Sequence, residues 1–439
     1  MSFRKYTQYK SSHVEWLGEI PAHWDVFRLK DIAEIMNGYP FDSKNFEPSG
    51  DFPLLRIRDL NCAESAIRYS GEYVASAEVT SADVLVGMDG DFEVGRWFGR
   101  EPALLNQRMC CVRTPCSSLS TILEHALPTP LKAINEITYS TTVKHLSSFD
   151  VAKIRIALPG SDAELEALAV FLYAETRKID ALIAEQEKLL ELLAEKRQAT
   201  ILHAVTRGLN RDVPMKDSGA QWLGMVPKHW EVIPLKYLVT LRSGGTPSKD
   251  NLDYWDGDVP WASAKDLKVE KLSDTADHIT KYAVEAGAAA LVPAGAILVV
   301  VRGMILARTF PVVETLAAMA INQDLKAVIP RKNLSAPFLA LLLRGSEGES
   351  LQRLDEAGHG TKALRMDAWT SMQMPIPPLD EQADIAEFVA QEVTRLDGIK
   401  AEAALAIDLL KERRSALISA AITGKIDVRE HSSALAAAA

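Results

Sequence analysis

The sequence lacks the features of a membrane or secreted protein. It contains no apolar run of about 18 residues, the length that a membrane-spanning helix needs. Its first residues, MSFRKYTQYKSSHVEW, contain no apolar core of the kind found in a signal peptide. The four cysteines, Cys62, Cys110, Cys111 and Cys116, form no CxxC pair, and no histidine follows them at zinc-finger spacing. We therefore expect reduced cysteines in a cytoplasmic protein.

Motifs of catalysis are also missing. The sequence contains no GxxxxGK[ST] phosphate loop, no GxSxG, no HExxH and no EF-hand loop. It has no Asn/Asp-Pro-Pro-aromatic tetrapeptide, and the nearest match, residues 375–379, lacks both the first and the last required residue. Asp89 and Asp91 are interpreted as parts of a tight turn rather than as metal ligands. We expect no catalytic residue, no metal and no cofactor in this chain.

The sequence contains fewer basic residues than acidic ones, 49 against 59. The formal net charge is −10 and the isoelectric point is about 5.5, whereas a nucleic-acid-binding protein usually carries a basic patch. A sum over the whole chain hides local surfaces, and the Glu-rich segment 162–195 accounts for part of the negative charge. The balance argues mildly against a nucleic-acid partner without excluding one.

What the sequence does contain is a long internal repeat. The motif Trp16-Leu17-Gly18-x-x-Pro21-x-His23-Trp24 returns as Trp222-Leu223-Gly224-x-x-Pro227-x-His229-Trp230. Further on, the GDxP motif at Gly50 returns at Gly257, and Asn106-Gln107 returns as Asn322-Gln323. A period this long exceeds that of any solenoid repeat, so it indicates a duplicated unit within one chain. We expect a pseudo-two-fold molecule.

Each unit combines a β-rich region with a long helix. Apolar runs at residues 52–57, 84–88 and 296–301 predict strands, and Gly244 to Ser248 predict a turn. Ser161-x-x-Glu164 forms a capping-box signature before the first helix, and Asp380 is predicted to be the N-cap of the second. Gly208 and Gly424 are expected to end the two helices.

A heptad pattern predicts that the two helices pair. Each would be about 60 Å long, too long to bury its apolar stripe inside a small domain. The predicted seam consists of Ile179, Leu182, Leu189, Leu193, Leu396, Ile399 and Leu410. Because a two-fold axis perpendicular to the helices relates the units, the pairing should be antiparallel. Charged residues, Glu164 and Glu166 among them, are assigned to the solvated faces.

The predicted fold class is α+β, with two pseudo-two-fold-related globular domains joined by two long helices that form an antiparallel coiled coil. The predicted boundaries are 1–158 for the first arm and globular domain, 159–208 for the first helix, 209–376 for the second arm and domain, 377–428 for the second helix, and 429–439 for a disordered or cloning-derived tail. Two similar readers held a fixed distance apart would suit double-stranded DNA, which offers similar groove surfaces one helical turn apart.

Several of these motifs together resemble the specificity (S) subunit of Type I restriction–modification systems. The twin arms look like those that open each target recognition domain of that family. Matching segments are Gly244 to Ser248, Tyr254-Trp255 with Gly257 to Trp261, Lys265 to Leu267, Gly87 to Phe92 with Arg96-Trp97, Leu104 to Arg108, and Pro377 to Gln382. The first helix entry, Leu158 to Asp162, departs from the pattern at its second proline and at Glu-Gln. The resemblance covers about residues 9–428.

The resemblance implies a non-catalytic subunit with two target recognition domains. Each domain would recognise one half of a bipartite DNA target, and the helices would fix the gap. The implied partners are double-stranded DNA, two methyltransferase (M) subunits and the restriction/translocase (R) subunits. S-adenosylmethionine, ATP and Mg would belong to those partner subunits rather than to this chain.

Basic residues in the two variable regions are the candidates for DNA contact, because phosphate neutralisation provides affinity and Arg can bind guanine. The candidates are Lys44, Arg56, Arg58, Arg96, Arg100 and Arg108 in the first unit, and Lys249, Lys265, Arg302, Arg308, Lys362 and Arg365 in the second. Arg56 and Arg58 are expected on one face of a strand, and Arg302 at a loop tip. Any of them could instead be a solvated charge or part of a local ion pair.

Other repeated or apolar residues are assigned to the scaffold or to a protein interface. The arm tryptophans are expected to pack, His23 and His229 to make structural hydrogen bonds, and Asn106 and Asn322 to act as scaffold amides. Leu190, Leu192 and Leu409 lie off the seam and predict helices of a partner packed alongside.

Two other functions are consistent with parts of this pattern. A scaffold or hub protein could use the coiled coil without any preference for a DNA sequence. An enzyme of the same system would require nuclease or methyltransferase motifs, which the sequence lacks.

Overall fold

A computed structural model describes residues 3–137, 144–356 and 360–429. The chain forms two compact units, unit 1 from residues 1–187 and 405–439, and unit 2 from residues 188–404. The division crosses both long helices, so each unit contains one globular domain and a half of each helix. Of the predicted tail, 429–439, residues 430–439 lie outside the described residues.

Unit 1 is built on a four-stranded sheet, a five-stranded sheet and two two-stranded sheets. Its strands are β1 (Tyr9–Ser11), β2 (Glu19–Pro21), β3 (Trp24–Arg28), β4 (Glu34–Asn37), β5 (Phe46–Glu47), β6 (Phe52–Leu55), β7 (Arg68–Tyr69), β8 (Glu78–Val79), β9 (Val84–Gly87), β10 (Val94–Gly95), β11 (Ala103–Leu105), β12 (Met109–Arg113) and β13 (Arg155–Pro159). Its helices are α1 (Leu29–Ile32), α2 (Ser117–Ala126), α3 (Pro128–Ile137), α4 (Ser148–Lys153) and α5 (Asp162–Arg207), the last of which continues into unit 2. The sheet orders are β10-β9-β12-β4 and β5-β7-β6-β11-β8, and β13 pairs with β3.

Unit 2 repeats this plan. Its strands are β14 (Met215–Asp217), β15 (Met225–Pro227), β16 (Glu231–Pro234), β17 (Val239–Ser243), β18 (Trp255–Ala262), β19 (Lys271–Leu272), β20 (Asp277–Ile279), β21 (Leu291–Val292), β22 (Ile297–Val300), β23 (Arg302–Gly303), β24 (Val312–Thr315), β25 (Met319–Ile321), β26 (Leu325–Pro330), β27 (Leu354–Glu356), β28 (Lys362–Leu364) and β29 (Gln373–Ile376). Its helices are α6 (Leu235–Leu238), α7 (Lys281–Glu285), α8 (Ala336–Gly345), α9 (Glu347–Leu351), α10 (Met366–Thr370) and α11 (Leu379–Ile422), which continues into unit 1. The sheet orders are β17-β26-β22-β24-β19, β20-β18-β25-β21 and β23-β28-β27, and β16 pairs with β29.

One parallel strand pair marks the equivalence of the two globular domains. In unit 1 β11 runs parallel to β6, and in unit 2 β25 runs parallel to β18, among neighbours that are mostly antiparallel. Behind each pair, a strand with four fully buried residues, β9 or β22, forms the centre of the core. Both strands are continuous apolar runs, as expected for strands covered on both faces.

The ends of the long helices follow local chemistry. The Ser161 side chain accepts a hydrogen bond from the Glu164 amide at 3.2 Å, which caps α5. Gly208 and Gly424 adopt φ values of +72° and +66° just after the helices, the left-handed conformation that favours glycine. Asp380 lies inside the first turn of α11 rather than at its N-cap, because the helix begins at Leu379.

The seam of the first helix differs from the predicted one. Ile179 and Leu193 are buried as predicted, but Leu182 is 45% exposed. The less exposed positions between them are Ile183, Gln186, Leu189 and Leu190, so the stripe runs through 179, 183, 186, 190 and 193. The predicted residues Leu182 and Leu189 each lie one residue before the stripe positions 183 and 190. The error arises because 3-4 and 4-3 spacings both fit a heptad.

In the second helix the less exposed positions coincide with the predicted seam. Leu396 is 2% exposed, and Ile399 and Leu410 are half-buried on the same stripe. Within each unit the two helices run antiparallel. In unit 1 the Arg414 guanidinium of α11 donates to Asp180 of α5 at 2.7 Å, while Gly424, just beyond the end of α11, lies against Trp24 near the start of α5.

The repeated arms hold the helix starts. Trp24 is fully buried and its indole N–H donates to Glu164 Oε1 at 2.9 Å. His23 Nε2 lies 2.9 Å from Glu164 Oε2, and the Tyr6 hydroxyl donates to Oε1 at 2.7 Å. Burial alone would raise the pKa of Glu164, but these hydrogen bonds outweigh it and hold the pKa below its usual value. We call this group clamp 1.

Unit 2 contains the matching group, clamp 2. The fully buried Trp230 donates through its indole N–H to Glu381 Oε2 at 3.0 Å, and His229 Nε2 lies 2.8 Å from the same oxygen. The expected packing of these tryptophans and the expected structural hydrogen bonds of both histidines are confirmed. The assignment of Glu164 to a solvated face was wrong, because this carboxylate is only 6% exposed.

Candidate nucleic-acid interface

In unit 1, three of the predicted DNA-binding residues line one cleft. Arg56, Arg58 and Arg108 come together there because the turn after β6 and the turn between β11 and β12 lie side by side. The cleft has a volume of about 650 Å³, and its acidic lining residues are Asp89, Asp91 and Glu93. It therefore offers both cations and carboxylates to a ligand.

Arg56 does not share a strand face with Arg58. Strand β6 ends at Leu55, and residues 57–59 form a 3₁₀ turn that Arg56 precedes. Arg56 Nε donates to Asp59 Oδ2 at 3.2 Å, and its side chain is 16% exposed. The predicted strand over 56–58 was wrong because Asp59 caps the turn at the Arg56 amide. Arg58 is exposed at the mouth of the cleft.

Arg96 lies in an internal ion pair rather than in a position to enter a groove. Its Nε donates to Glu124 Oε2 at 2.6 Å and its Nη2 donates to Thr121 at 3.3 Å. The side chain is only 12% exposed. The neighbouring Trp97 is 2% exposed and donates to the Glu101 carbonyl at 2.8 Å. Arg96 and Trp97 are therefore part of the packed interior of the domain, and their positions do not support a DNA contact.

Two further candidates of unit 1 lie away from the cleft. Lys44 is exposed in a 3₁₀ turn, Ser43–Asn45. Arg100 is exposed in the loop before β11, near Phe98, which is 53% exposed. Both side chains are accessible to phosphates, but the cleft lining includes neither of them.

In unit 2, the small sheet β23-β28-β27 brings together Arg302, Lys362 and Arg365. Arg302 belongs to β23 and pairs with Ala363 of β28, so the predicted loop tip was wrong. Its side chain is exposed. Lys362 Nζ donates to Glu356 at 2.8 Å, and Arg365 lies 3.5 Å from Asp355. These two ion pairs are largely solvent-exposed, so they hold the cations weakly and leave them available to a stronger anion.

The remaining candidates of unit 2 lie outside this sheet. Lys265 Nζ donates to Asp277 Oδ2 at 2.7 Å in a solvent-exposed pair. Lys249 is exposed in the loop after β17, and Arg308 is exposed after a 3₁₀ turn, Met304–Ala307.

The repeated amides belong to the scaffold, as expected. Asn106 Oδ1 accepts from the Arg108 amide at 3.4 Å, and Asn322 Oδ1 accepts from the Asp324 amide at 3.1 Å. Each closes a turn at the same point of its unit.

The sequence interpretation missed the partners that fix Arg108. Asp89 Oδ2 lies 3.3 Å from Arg108 Nη1, and Asp89 Oδ1 lies 2.7 Å from His145 Nδ1. Asp89 does lie in the expected turn, where Gly90 has a φ of +76°. Nothing local to Asp89 indicates these contacts, because His145 is 56 residues away in the chain.

Over the part of the chain that the structure describes, no three His, Cys, Asp or Glu side chains are placed to hold a metal ion. Over the same residues, no helix combines the length and the apolar character needed to cross a membrane.

Comparison with known proteins gives consistent matches. The sequence model of the family described as the type I restriction modification DNA specificity domain matches twice, over residues 21–191 and 227–403. The chain is 28% identical to the type I restriction enzyme EcoBI specificity subunit of Escherichia coli, over 94% of this chain and 88% of that protein. It is 21% identical to the MjaVIII specificity subunit of Methanocaldococcus jannaschii, over 98% of each.

A solved structure shares the fold. A chain from work on complex assembly and conformational transition of the type I R-M system superimposes with a TM-score of 0.64. The match covers 93% of this chain and 99% of that one, at 18% sequence identity. The likeness therefore extends over both units and both long helices.

Proposed function

The chain belongs to the type I restriction modification DNA specificity family, and we propose that it is the subunit that selects the DNA target of such a complex. Each globular domain recognises one half of a bipartite target. The observation that carries this proposal is that one strand framework occurs twice and presents an exposed arginine at a different place each time, Arg108 in unit 1 and Arg302 in unit 2. Two recognition domains on one scaffold suit a DNA target whose two halves differ in sequence.

In this proposal the long helices set the gap between the two half-sites. Helices α5 and α11 run antiparallel within each unit and have matched lengths of 46 and 44 residues. Removing seven residues from each, 184–190 and 402–408, keeps the heptad phase, leaves Leu192 and Leu409 in place and removes about 10 Å of helix. The gap should shorten by roughly three base pairs, at about 3.4 Å per base pair, while both half-sites stay the same. An unchanged gap would contradict this role.

Partner subunits supply the chemistry. The chain contributes recognition and no catalytic residue, whereas methyltransferase and restriction/translocase subunits bind S-adenosylmethionine, ATP and Mg. Leu192 and Leu409 are 48% and 55% exposed on the helices, which supports docking of partner helices there. Leu190 lies on the seam stripe between α5 and α11 and is a poorer candidate than predicted. Leu409→Glu should abolish co-purification with the methyltransferase, whereas Ser415→Glu on the same helix should not.

The decisive experiment is methylome sequencing of cells that express this chain together with its methyltransferase partner. A new adenine-methylated motif with two halves and a fixed gap is expected only when this chain is present. An assembled complex that methylates no new motif would favour a hub protein without DNA sequence preference.

A further inference from the structure

Backbone hydrogen bonds allow the two recognition surfaces to be compared residue by residue. In unit 1 the Met88 amide, just after β9, donates to the Arg108 carbonyl at 2.9 Å. In unit 2 the Val301 amide, just after β22, donates to the Asp324 carbonyl at 2.8 Å. Each acceptor is the second residue after the scaffold asparagine of its unit. Met88 therefore corresponds to Val301, and Arg108 corresponds to Asp324.

A second pair of bonds confirms this alignment. The Met88 carbonyl accepts from the Leu146 amide at 2.7 Å, and the Val301 carbonyl accepts from the Leu364 amide at 2.8 Å. The same chain segment thus returns to cover the strand end in both units, just before α4 and α10.

The residues that follow Met88 and Val301 can be aligned in the same way. Asp89 pairs with His145 in an antiparallel bridge, and Arg302 pairs with Ala363 in antiparallel register. Since His145 precedes Leu146 and Ala363 precedes Leu364, Asp89 and Arg302 occupy the same position in their units.

The two units exchange charge at these two positions. Unit 1 has a carboxylate at the first position, Asp89, and a guanidinium at the second, Arg108. Unit 2 has a guanidinium at the first, Arg302, and a carboxylate at the second, Asp324. Residues that hold the shared framework do not change in this way, because a turn needs the same cap in both units.

Framework residues next to the exchanged positions illustrate the contrast. Asp59 accepts from the Arg56 amide at 3.0 Å, and its counterpart Asp266 accepts from the Ser263 amide at 2.8 Å. The neighbouring turn is therefore held in the same way in both units, whereas the side chains at the two exchanged positions differ in charge.

The cation is well exposed in each arrangement. In unit 1, Asp89 is 22% exposed and lies 3.3 Å from Arg108, which is 59% exposed and faces the cleft. In unit 2, Arg302 is exposed, and it forms no ion pair with another described residue. The guanidinium thus stands at the second position in unit 1 and at the first position in unit 2.

We propose that this charge exchange determines the difference between the two half-sites, with Arg108 and Arg302 as the base-contacting residues. The inference rests on the proposed function. Arginine binds guanine through O6 and N7, whereas a carboxylate accepts from the amino group of cytosine and is repelled by phosphate. A mixed pair of this kind therefore suits base edges better than the DNA backbone. Each arginine specifies a guanine, and the two guanines occupy different places in their half-sites.

The test uses the complete complex, reconstituted with its methyltransferase partner, and DNA in which both half-sites are randomised. Adenine methylation is read out by sequencing. Arg302→Ala should lower discrimination at one base pair of one half-site by roughly 5- to 150-fold, the range for a single bidentate contact. Arg108→Ala should do the same in the other half-site only. The double exchange Arg302→Asp with Asp324→Arg should move the specified guanine.

Matched controls are Lys268→Ala in unit 2 and Lys132→Ala in unit 1, which remove exposed cations outside both surfaces. Thermal unfolding checks the folding of each variant. Should Arg108→Ala unfold because Asp89 loses one of its two partners, Arg302→Ala still tests the proposal. Retained methylation with both half-sites unchanged would overturn the inference, and so would an equal loss on all sequences, which indicates a phosphate contact. A wild-type complex without any bipartite motif would instead contradict the proposed function.

Discussion

Clamp 1 and clamp 2 perform one task with different degrees of burial. Glu164 accepts from Tyr6, His23 and Trp24 and is 6% exposed, whereas Glu381 accepts from His229 and Trp230 and is 28% exposed. The difference comes from the segments that cover clamp 1. The amide of Asp427 donates to the Arg4 carbonyl at 2.8 Å, and the Arg429 guanidinium lies 5.0 Å from the Tyr6 ring.

The comparison teaches that the repeated His-Trp pair is the part that the two clamps share. Tyr6 and the segment around residue 427 add a third donor and exclude water. Each hydrogen bond to a charged acceptor is worth more where water is excluded, so equal substitutions should cost more in clamp 1.

The largest difference is expected from removing the two glutamates. Glu164→Ala leaves the buried Trp24 and Tyr6 donors without an acceptor and should lower the free energy of unfolding by about 3 kcal/mol. Glu381→Ala, in the more exposed clamp, should cost about 1 kcal/mol. Urea denaturation of the whole chain measures both. Glu166→Ala, an exposed residue of the same helix turn, is the control, and equal costs in the two clamps would refute the comparison.

Acid should weaken clamp 1. Because the pKa of Glu164 is lower in the folded protein, its stabilisation is full above the unfolded-state pKa of glutamate, about 4.3, and is lost as the pH falls through the folded value. The stability difference between the wild type and Glu164→Gln should therefore shrink as the pH is lowered from 6 to roughly 3. Thermal unfolding across that range measures it. A difference that stays constant with pH would show that the charge of Glu164 contributes nothing.

Tyr6→Phe should make clamp 1 resemble clamp 2. The substitution keeps the ring under Arg429 and removes only the hydroxyl donor, so Glu164 retains two donors, as Glu381 does. The expected cost is about 1.5 kcal/mol, since a hydrogen bond to a charged acceptor is lost. In a Tyr6→Phe background, Glu164→Ala should cost less than in the wild type, and a double-mutant cycle measures this coupling. Additive costs would indicate that the hydroxyl and the carboxylate do not interact.

The smallest effect is expected at the rim of clamp 2. The His229 and His23 side chains are about equally exposed, at 45% and 46%, but the acceptor Glu381 is 28% exposed whereas Glu164 is only 6% exposed. His229→Ala should therefore cost only about 0.5 kcal/mol. A cost equal to that of His23→Ala, which removes a donor from the buried Glu164, would show that exposure does not distinguish the two clamps.

Much of the architecture could be predicted from the sequence because its signals are local or repeated. The WLGxxPxHW repeat predicted two equivalent units, and Gly208 and Gly424 predicted the helix ends to within a residue or two. The seam of α11 was predicted, while that of α5 was shifted at Leu182 because two heptad phases fit the same apolar residues.

The candidate interface was less predictable. Arg58 and Arg108 share a cleft as basic candidates of one domain, but Arg96 is held by Glu124 inside the fold. A basic side chain has the same sequence signature on a DNA-facing surface as in an internal ion pair. Only its distance from a carboxylate in the folded chain separates the two cases.

The sequence by itself determined the duplication, the two long helices and membership of a family with two recognition domains. The tertiary structure alone decided that Glu164 holds the helix start, although its partner Tyr6 lies 158 residues away in the chain. It also decided that Asp89 and Arg302 occupy equivalent places. The physical reason is that periodicity and caps act between near neighbours in the chain. Hydrogen bonds and ion pairs instead depend on distances of about 3 Å between residues that only folding brings together.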